Sequence, residues 1–237
     1  MSQLDQLLEV QEHDTTADQL RHRRSTLPER SNLEECRGSL AATEVDLADA
    51  AEERAEIAED IKHIEQEVAS LEARVKEVDH LLHSGAVAAP RELKALQDEI
   101  ASLQRRQRML EDGELDLMER AEPLDKTIAE LGGRRTQLEA RAGELEAELA
   151  AAERAVDDEI VEVEARRAAL AADLPDDVLM TYERLRKQFA GVAVAKLSGG
   201  TCGGCFLGLS AVEVDRIKKQ PPDALINCEE CGRILVR

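Results

Sequence analysis

Four cysteines at the C-terminal end carry the strongest chemical signal in the chain: Cys202-Gly203-Gly204-Cys205 and, after 22 intervening residues, Cys228-Glu229-Glu230-Cys231. Two cysteines separated by two residues turn both sulfurs toward one ion. Two such pairs supply four thiolates in a tetrahedron and leave no coordination position open, so the site is structural and not catalytic. Glycines in or after each turn, Gly203, Gly204 and Gly232, let backbone N–H groups point at the sulfurs. Cys202-Gly203-Gly204-Cys205 alone would also suit a dithiol redox motif, but the second pair and the absence of a surrounding βαβ pattern argue against it. The expected occupant is one structural Zn(2+), with iron the rival metal for four thiolates at this spacing. Binding of this kind contributes on the order of 10 to 16 kcal/mol to folding, so the tail is expected to fold only with its metal.

No other group of residues points to catalysis. The five histidines, His13, His22, His63, His80 and His83, all lie outside the cysteine region, and no nucleophile has a base near it in sequence. Carboxylates are abundant, but on exposed helices they form a solvated face without the pocket that acid–base work requires. The sequence therefore predicts no catalytic residue and no enzyme.

Short elements must position the thiolates. Gly191-Val192-Ala193-Val194-Ala195-Lys196-Leu197 alternates like a strand before the first pair, and Arg233-Ile234-Leu235-Val236 does the same after the second. Upstream, Leu174-Pro175-Asp176-Asp177 ends one helix and caps another, Val178 to Ala190, whose Leu179, Tyr182, Leu185 and Phe189 share a face. The chain has no Trp, one Tyr and two Phe. All three aromatics, Tyr182, Phe189 and Phe206, fall in this part, which points to a small packed module there. The favoured reading of the helix's aromatics is packing; stacking on nucleic acid is the other, because Arg184, Arg186 and Lys187 lie beside them. Candidate contacts to nucleic acid or a partner are thus Tyr182, Arg184, Arg186, Lys187, Lys218, Lys219 and Arg233.

The rest of the chain reads as coiled coil. Leu33, Cys36, Leu40, Thr43, Leu47, Ala50, Arg54, Ile57, Ile61, Ile64, Val68, Leu71, Val75, Val78 and Leu82 step alternately by three and four, mostly apolar, with charged residues between. The pattern stops at Ser84-Gly85-Ala86-Val87-Ala88-Ala89-Pro90, where Gly85 suits a left-handed helix end and Pro90 a new first turn. It resumes from Leu93 to Leu149 and fades by Leu170. A reversal near Val87 pairs residue i with roughly 174 − i, so that residues 3–27 meet 147–171. Pro28 and Pro123 are expected to interrupt one arm each, and bends are expected near Gly38, Gly132 and Gly133. Cys36 sits on the seam as a small buried apolar residue. Basic runs such as Arg105-Arg106-Gln107-Arg108 read as solvated faces paired with Glu.

The fold expected is mainly α: a long antiparallel coiled-coil helical hairpin over 1–173 with its turn near 84–90, a connecting helix over 174–190, and a small C-terminal β zinc ribbon over 191–237. The formal net charge is −20. It is uneven, because six basic residues face five acidic ones from Gly191 onward, against 25 and 46 in the remainder. Such an acidic chain gains nothing from general phosphate neutralisation, which leaves the C-terminal part as the one candidate nucleic-acid face. The N-terminal residues carry no signal-peptide pattern and no apolar run is long enough to span a membrane, so a cytoplasmic protein is expected.

The heptad hairpin, Leu174-Pro175, Tyr182-Glu183-Arg184-Leu185-Arg186, Gly191-Val192-Ala193-Val194-Ala195, the Cys-Gly-Gly-Cys knuckle and the closing Cys-Glu-Glu-Cys-Gly-Arg-Ile-Leu together resemble the bacterial four-cysteine zinc-ribbon family with an N-terminal coiled-coil hairpin. That resemblance implies an adaptor or chaperone for protein partners, tied in some bacteria to flagellar or secretion systems and an alternative sigma factor, and a candidate RNA binder. The sequence reading is accordingly a non-catalytic zinc-binding interaction protein, its arm docking a protein partner and its ribbon binding protein or nucleic acid, RNA included. The alternative is a purely structural or self-associating coiled-coil spacer, as a monomer or a dimer.

Overall fold

The computed structural model describes residues 2–221 and 223–237. Among them the elements run α1 (Gln3–Ser25), α2 (Pro28–His83), α3 (Pro90–Ala172), α4 (Asp176–Gln188), β1 (Val194–Ser198), β2 (Thr201–Cys202), α5 (Ala211–Lys219) and β3 (Ile234–Val236). The fold is a long helical hairpin with a small C-terminal three-stranded sheet, as the heptads and the strand-like flanks require. Two compact units divide it: Leu33–Glu144, and Met1–Asn32 together with Leu145–Arg237.

Within Leu33–Glu144 the seam follows the sequence pattern. Leu33, Cys36, Thr43, Ile57 and Val78 of α2 are buried. Thr43 satisfies its hydroxyl on the Ser39 carbonyl at 2.8 Å, which removes the cost of placing it in an apolar stripe. The Cys36 thiol donates to the Leu138 carbonyl at 3.6 Å, and Arg74 reaches Glu99 at 2.9 Å. Both pairs lie at or within one residue of the 174 − i register. The reversal is built as the breakers demand, with Gly85 at φ 75° and Pro90 opening α3.

The expected interruption at Pro123 does not occur, since α3 runs through it. Pro123 is exposed, so the carbonyl its ring leaves without a donor is free to bond water and the helix continues. Gly38, Gly132 and Gly133 are likewise helical, carried by the good helix formers on either side. Pro28 does mark a break: α1 ends at Ser25, and Thr26 and Leu27 separate it from α2.

The other unit gathers α1, the last turns of α3, α4 and the sheet around an apolar core. Leu4, Leu7 and Val10 of α1 pack with Leu174, Val178, Tyr182, Leu185, Ala193, Val194, Ile234 and Val236. A second cluster holds Ala195, Cys202, Ile217, Ile226, Cys228 and Leu235. Strand alternation explains the division. β1 pairs β3 in parallel, Val194 with Ile234 and Ala195 with Leu235, so successive side chains face the helical core and then the cysteines. On its other edge β1 pairs β2 antiparallel through the Gly199-Gly200 turn, whose positive φ values of 60° and 83° suit a tight hairpin.

Candidate metal centre

The first knuckle leaves β2 at Cys202, which is fully buried; the second follows Asn227 and leads into β3. Gly204 N–H points at the Cys202 sulfur at 3.4 Å. A Cβ on Gly204 would stand 2.5 Å from Cδ of Arg233 and 3.1 Å from Cβ of Ala195, so only glycine lets this turn close against its neighbours. In the second knuckle Gly232 takes φ 77° and its N–H donates to the Cys228 carbonyl at 2.8 Å.

All four sulfurs lie within 4.8 Å of one another. Cys202 to Cys231 and Cys205 to Cys228 are each 3.9 Å. A tetrahedron with metal–sulfur bonds of about 2.3 Å requires sulfurs about 3.8 Å apart, so the donor set fits one zinc ion with all four positions taken. Without a cation the thiols differ sharply. Burial pushes Cys228 up to about 12. Burial also opposes ionisation of Cys231, but the backbone N–H and side chain of Arg233 and the neighbouring thiols outweigh it and bring it down to about 7. Only a divalent ion keeps four crowded sulfurs ionised together.

The loop between the knuckles contains α5, which the sequence reading missed. Its signal was legible: Ser210-Ala211-Val212-Glu213 is a capping sequence, and Ser210 Oγ accepts from Glu213 N–H at 3.2 Å. Ile217 of this helix fills the cluster around the cysteines. Glu213 is buried, and the hydrogen bond from Arg216 holds its carboxyl below the usual range.

Also unforeseen were two polar residues of α1 that tie it to the ribbon and α4. Gln11 accepts from the N–H groups of Ala193 and Val194, both at 2.6 Å, and donates to the Val194 carbonyl at 2.8 Å. Its amide thus serves the backbone just before and at the start of β1 as a neighbouring strand would. Asp14, 7% exposed, accepts from the Tyr182 hydroxyl at 2.6 Å and from Arg167 at 3.2 Å, and pairs with Arg186 at 3.5 Å. Leu4, Leu7, Gln11 and Asp14 step by three and four, so the seam pattern itself places these polar side chains inward.

Tyr182 therefore is no contact surface: it is fully buried, its ring part of the core and its hydroxyl committed to Asp14. Arg186 is half-buried and bound to Asp14 and Asp18. Arg233 lies 4.9 Å over the Phe189 ring and donates to the Val192 carbonyl at 2.9 Å. Lys219 pairs with Asp215 at 2.6 Å. Arg184 and Lys187 on α4 and Lys218 on α5 are exposed. The structure brings the four cysteines together and distributes the remaining candidates among these different roles.

A helical hairpin joined to a closed tetrathiolate ribbon defines a coiled-coil zinc-ribbon protein. Residues 10–190 match the CT398-like coiled coil hairpin domain and residues 201–235 the C4-type zinc ribbon domain. The chain belongs to the CT398-like coiled-coil hairpin family. It is similar to Rv2229c of Mycobacterium tuberculosis, 36% identical over 164 residues covering 66% of this chain and 63% of that protein. Similarity extends to ML1638 of Mycobacterium leprae, 30% identical over 162 residues covering 65% and 66%. Each match spans less than two thirds of the relative's own length. Among solved structures, one from Mycobacterium smegmatis superposes with a TM-score of 0.87 at 26% identity, covering 100% of this chain and 99% of that one. CT398 from Chlamydia trachomatis shares the fold, with a TM-score of 0.73 at 21% identity over 99% and 97%.

Proposed function

We propose that this chain is a non-catalytic adaptor of the cytosol, in which the helical arm docks a protein partner and the zinc ribbon presents a fixed end that binds protein. One observation carries the reading. All four thiolates are consumed in holding the ribbon itself, and the ribbon's sheet is bonded to α1 through Gln11, so the metal serves to build and anchor a surface. A four-thiolate zinc centre has no open position for a substrate or activated water, which fits binding and not turnover.

A nucleic-acid role for the ribbon, RNA in particular, is the second reading. Arg184, Lys187 and Lys218 favour it, because they are exposed and no ion-pair partner is found for them among the described residues. Two facts weigh against it. The one tyrosine is buried, and four thiolates with one divalent ion add two negative charges to a C-terminal part otherwise close to neutral. The test is crosslinked recovery of partners from native cytosol with the full chain, with and without nuclease. Full-length protein is needed because α1 supplies part of the ribbon's core. Protein partners that survive nuclease support the adaptor; recovery that vanishes with nuclease transfers the function to RNA, and no recovery in either arm leaves the spacer reading.

A further inference from the structure

The first knuckle ends in Phe206, which is held at φ 63° and is 79% exposed. A residue with a Cβ enters the left-handed region at a cost that glycine avoids, and this turn already uses Gly203, Gly204 and Gly208. An aromatic ring displayed to solvent from such a backbone is unfavourable twice over. The knuckle accounts for the backbone, since Phe206 N–H donates to the Cys202 carbonyl at 2.8 Å as Gly232 N–H does to the Cys228 carbonyl, but among the described residues the ring belongs to neither apolar cluster. Close by in sequence, Leu207 is 50% exposed and Val212, in the first turn of α5, is 81% exposed. In a chain with two phenylalanines, one being free in water is a choice about surface.

Carboxylates of the second knuckle lie beside this apolar rim. Phe206 follows Cys205 and Glu229 follows Cys228, and those two sulfurs are 3.9 Å apart, so both knuckles border one centre. Val212 lies one helical turn before Arg216, whose guanidinium is taken up by Glu213 and Glu229. Glu230 is exposed and has no ion-pair partner among the described residues. The nearby Arg233 is turned onto Phe189 and the Val192 carbonyl. With Glu213 buried against Arg216, the exposed carboxylates that border the rim are Glu229 and Glu230 of the second knuckle, and a tetrathiolate zinc would add further negative charge. A phosphate backbone would be repelled by these carboxylates.

We propose that the knuckle rim of Phe206, Leu207 and Val212, flanked by Glu229 and Glu230, is a docking surface for a cationic protein segment carrying apolar side chains. The assignment rests on the adaptor reading and names the chemistry of its partner. Phe206 is the anchor, which an exposed aromatic provides at little entropic cost, and the carboxylates select Lys and Arg around it.

Fluorescence anisotropy on the full-length zinc-loaded protein tests it with defined probes: a short amphipathic Lys/Leu peptide, a Lys/Ser peptide of equal charge, a Glu/Leu peptide and a single-stranded RNA. The acidic arm will attract any cation, so the Lys/Ser peptide sets that background. The Lys/Leu peptide is expected to bind about tenfold more tightly than the Lys/Ser peptide, with F206S removing most of that difference and E230K weakening both cationic peptides, while zinc content and the circular dichroism spectrum stay unchanged. Equal binding of the two cationic peptides, a difference that survives F206S, or tighter binding of RNA or the Glu/Leu peptide would overturn the assignment. If the peptide preference is absent while crosslinked recovery of proteins persists, the surface falls and the adaptor stands. Recovery that fails while Lys/Leu binding depends on Phe206 sinks the adaptor alone.

Discussion

The seam of Leu33–Glu144 and the core of the other unit solve one problem in opposite ways. Both must be packed in a chain almost without aromatics. Along the seam, Ile61, Ile64, Val68, Leu71 and Val75 are only half-buried, and stability accumulates from many modest contacts repeated along two helices. Around the ribbon, Leu4, Leu7, Val10 and Tyr182 are removed from water almost completely, and a metal and two buried polar side chains fix their arrangement. A distributed interface tolerates local damage. A concentrated one depends on a few groups that cannot be exchanged.

Metal removal exploits this difference most strongly. Chelation, or C228S, is expected to forfeit on the order of 10 to 16 kcal/mol at the ribbon, more than the apolar contacts of so small a sheet supply. Tyr182 fluorescence should change as β1 and β3 leave its core, while the helical circular dichroism signal falls only slightly, because most helix belongs to the hairpin. Parallel loss of both signals would show that the seam also depends on zinc.

Next in size is Asp14. Asp14→Ala leaves Arg167 and Arg186, each under a quarter exposed, facing a core with their shared carboxylate gone. Removing one member of a buried charged network costs about 3 to 5 kcal/mol; partial exposure here moves the expectation toward about 2 to 3. Gln11→Ala strands two backbone N–H groups and should cost about 1 to 3 kcal/mol. Denaturant midpoints of zinc-loaded protein check both. A loss no larger than about 0.5 kcal/mol for Asp14→Ala would mean the network is ornamental and the core is held as the seam is.

The same tyrosine gives a pH signature. Burial first, then the hydrogen bond to Asp14 and its negative charge, push the Tyr182 phenol above its ordinary value. The folded state therefore favours the neutral form. Its stabilisation is full below the unfolded value of about 10 and is lost as pH rises beyond it toward the raised native value. Because Tyr182 is the single tyrosine and there is no tryptophan, tyrosinate absorbance near 295 nm reports this group alone. Absorbance and unfolding should rise together in alkali; ionisation near pH 10 in a protein still folded would contradict the buried placement.

What was legible in the sequence follows the same division. Heptads, the Gly85–Pro90 reversal and the cysteine spacing are local or periodic, so composition and step length reveal them. Gln11 and Asp14 were not read because their meaning comes from partners 153 to 183 residues away, which no local pattern names. Tyr182 was counted among candidate contacts since its helix carries cations, and only the core around it shows that ring and hydroxyl are already spoken for. Pro123 misled in the other direction: a proline reads as a break, whereas an exposed site on an otherwise strong helix absorbs it.

The smallest expected effect is also the most discriminating, because it runs against the usual sign. Phe206→Gly removes an exposed ring from a backbone held at φ 63°, so the ribbon should gain about 1 kcal/mol as left-handed strain is relieved. Glycine's larger unfolded-state entropy works against that gain, by roughly 0.5 to 1 kcal/mol at worst. A thermal midpoint equal to or above that of the parent protein, read by Tyr182 fluorescence with zinc in excess, would mark Phe206 as retained for something other than folding. A clear drop would place the ring among the groups that hold the ribbon, and the concentrated core would then extend to the knuckle's rim.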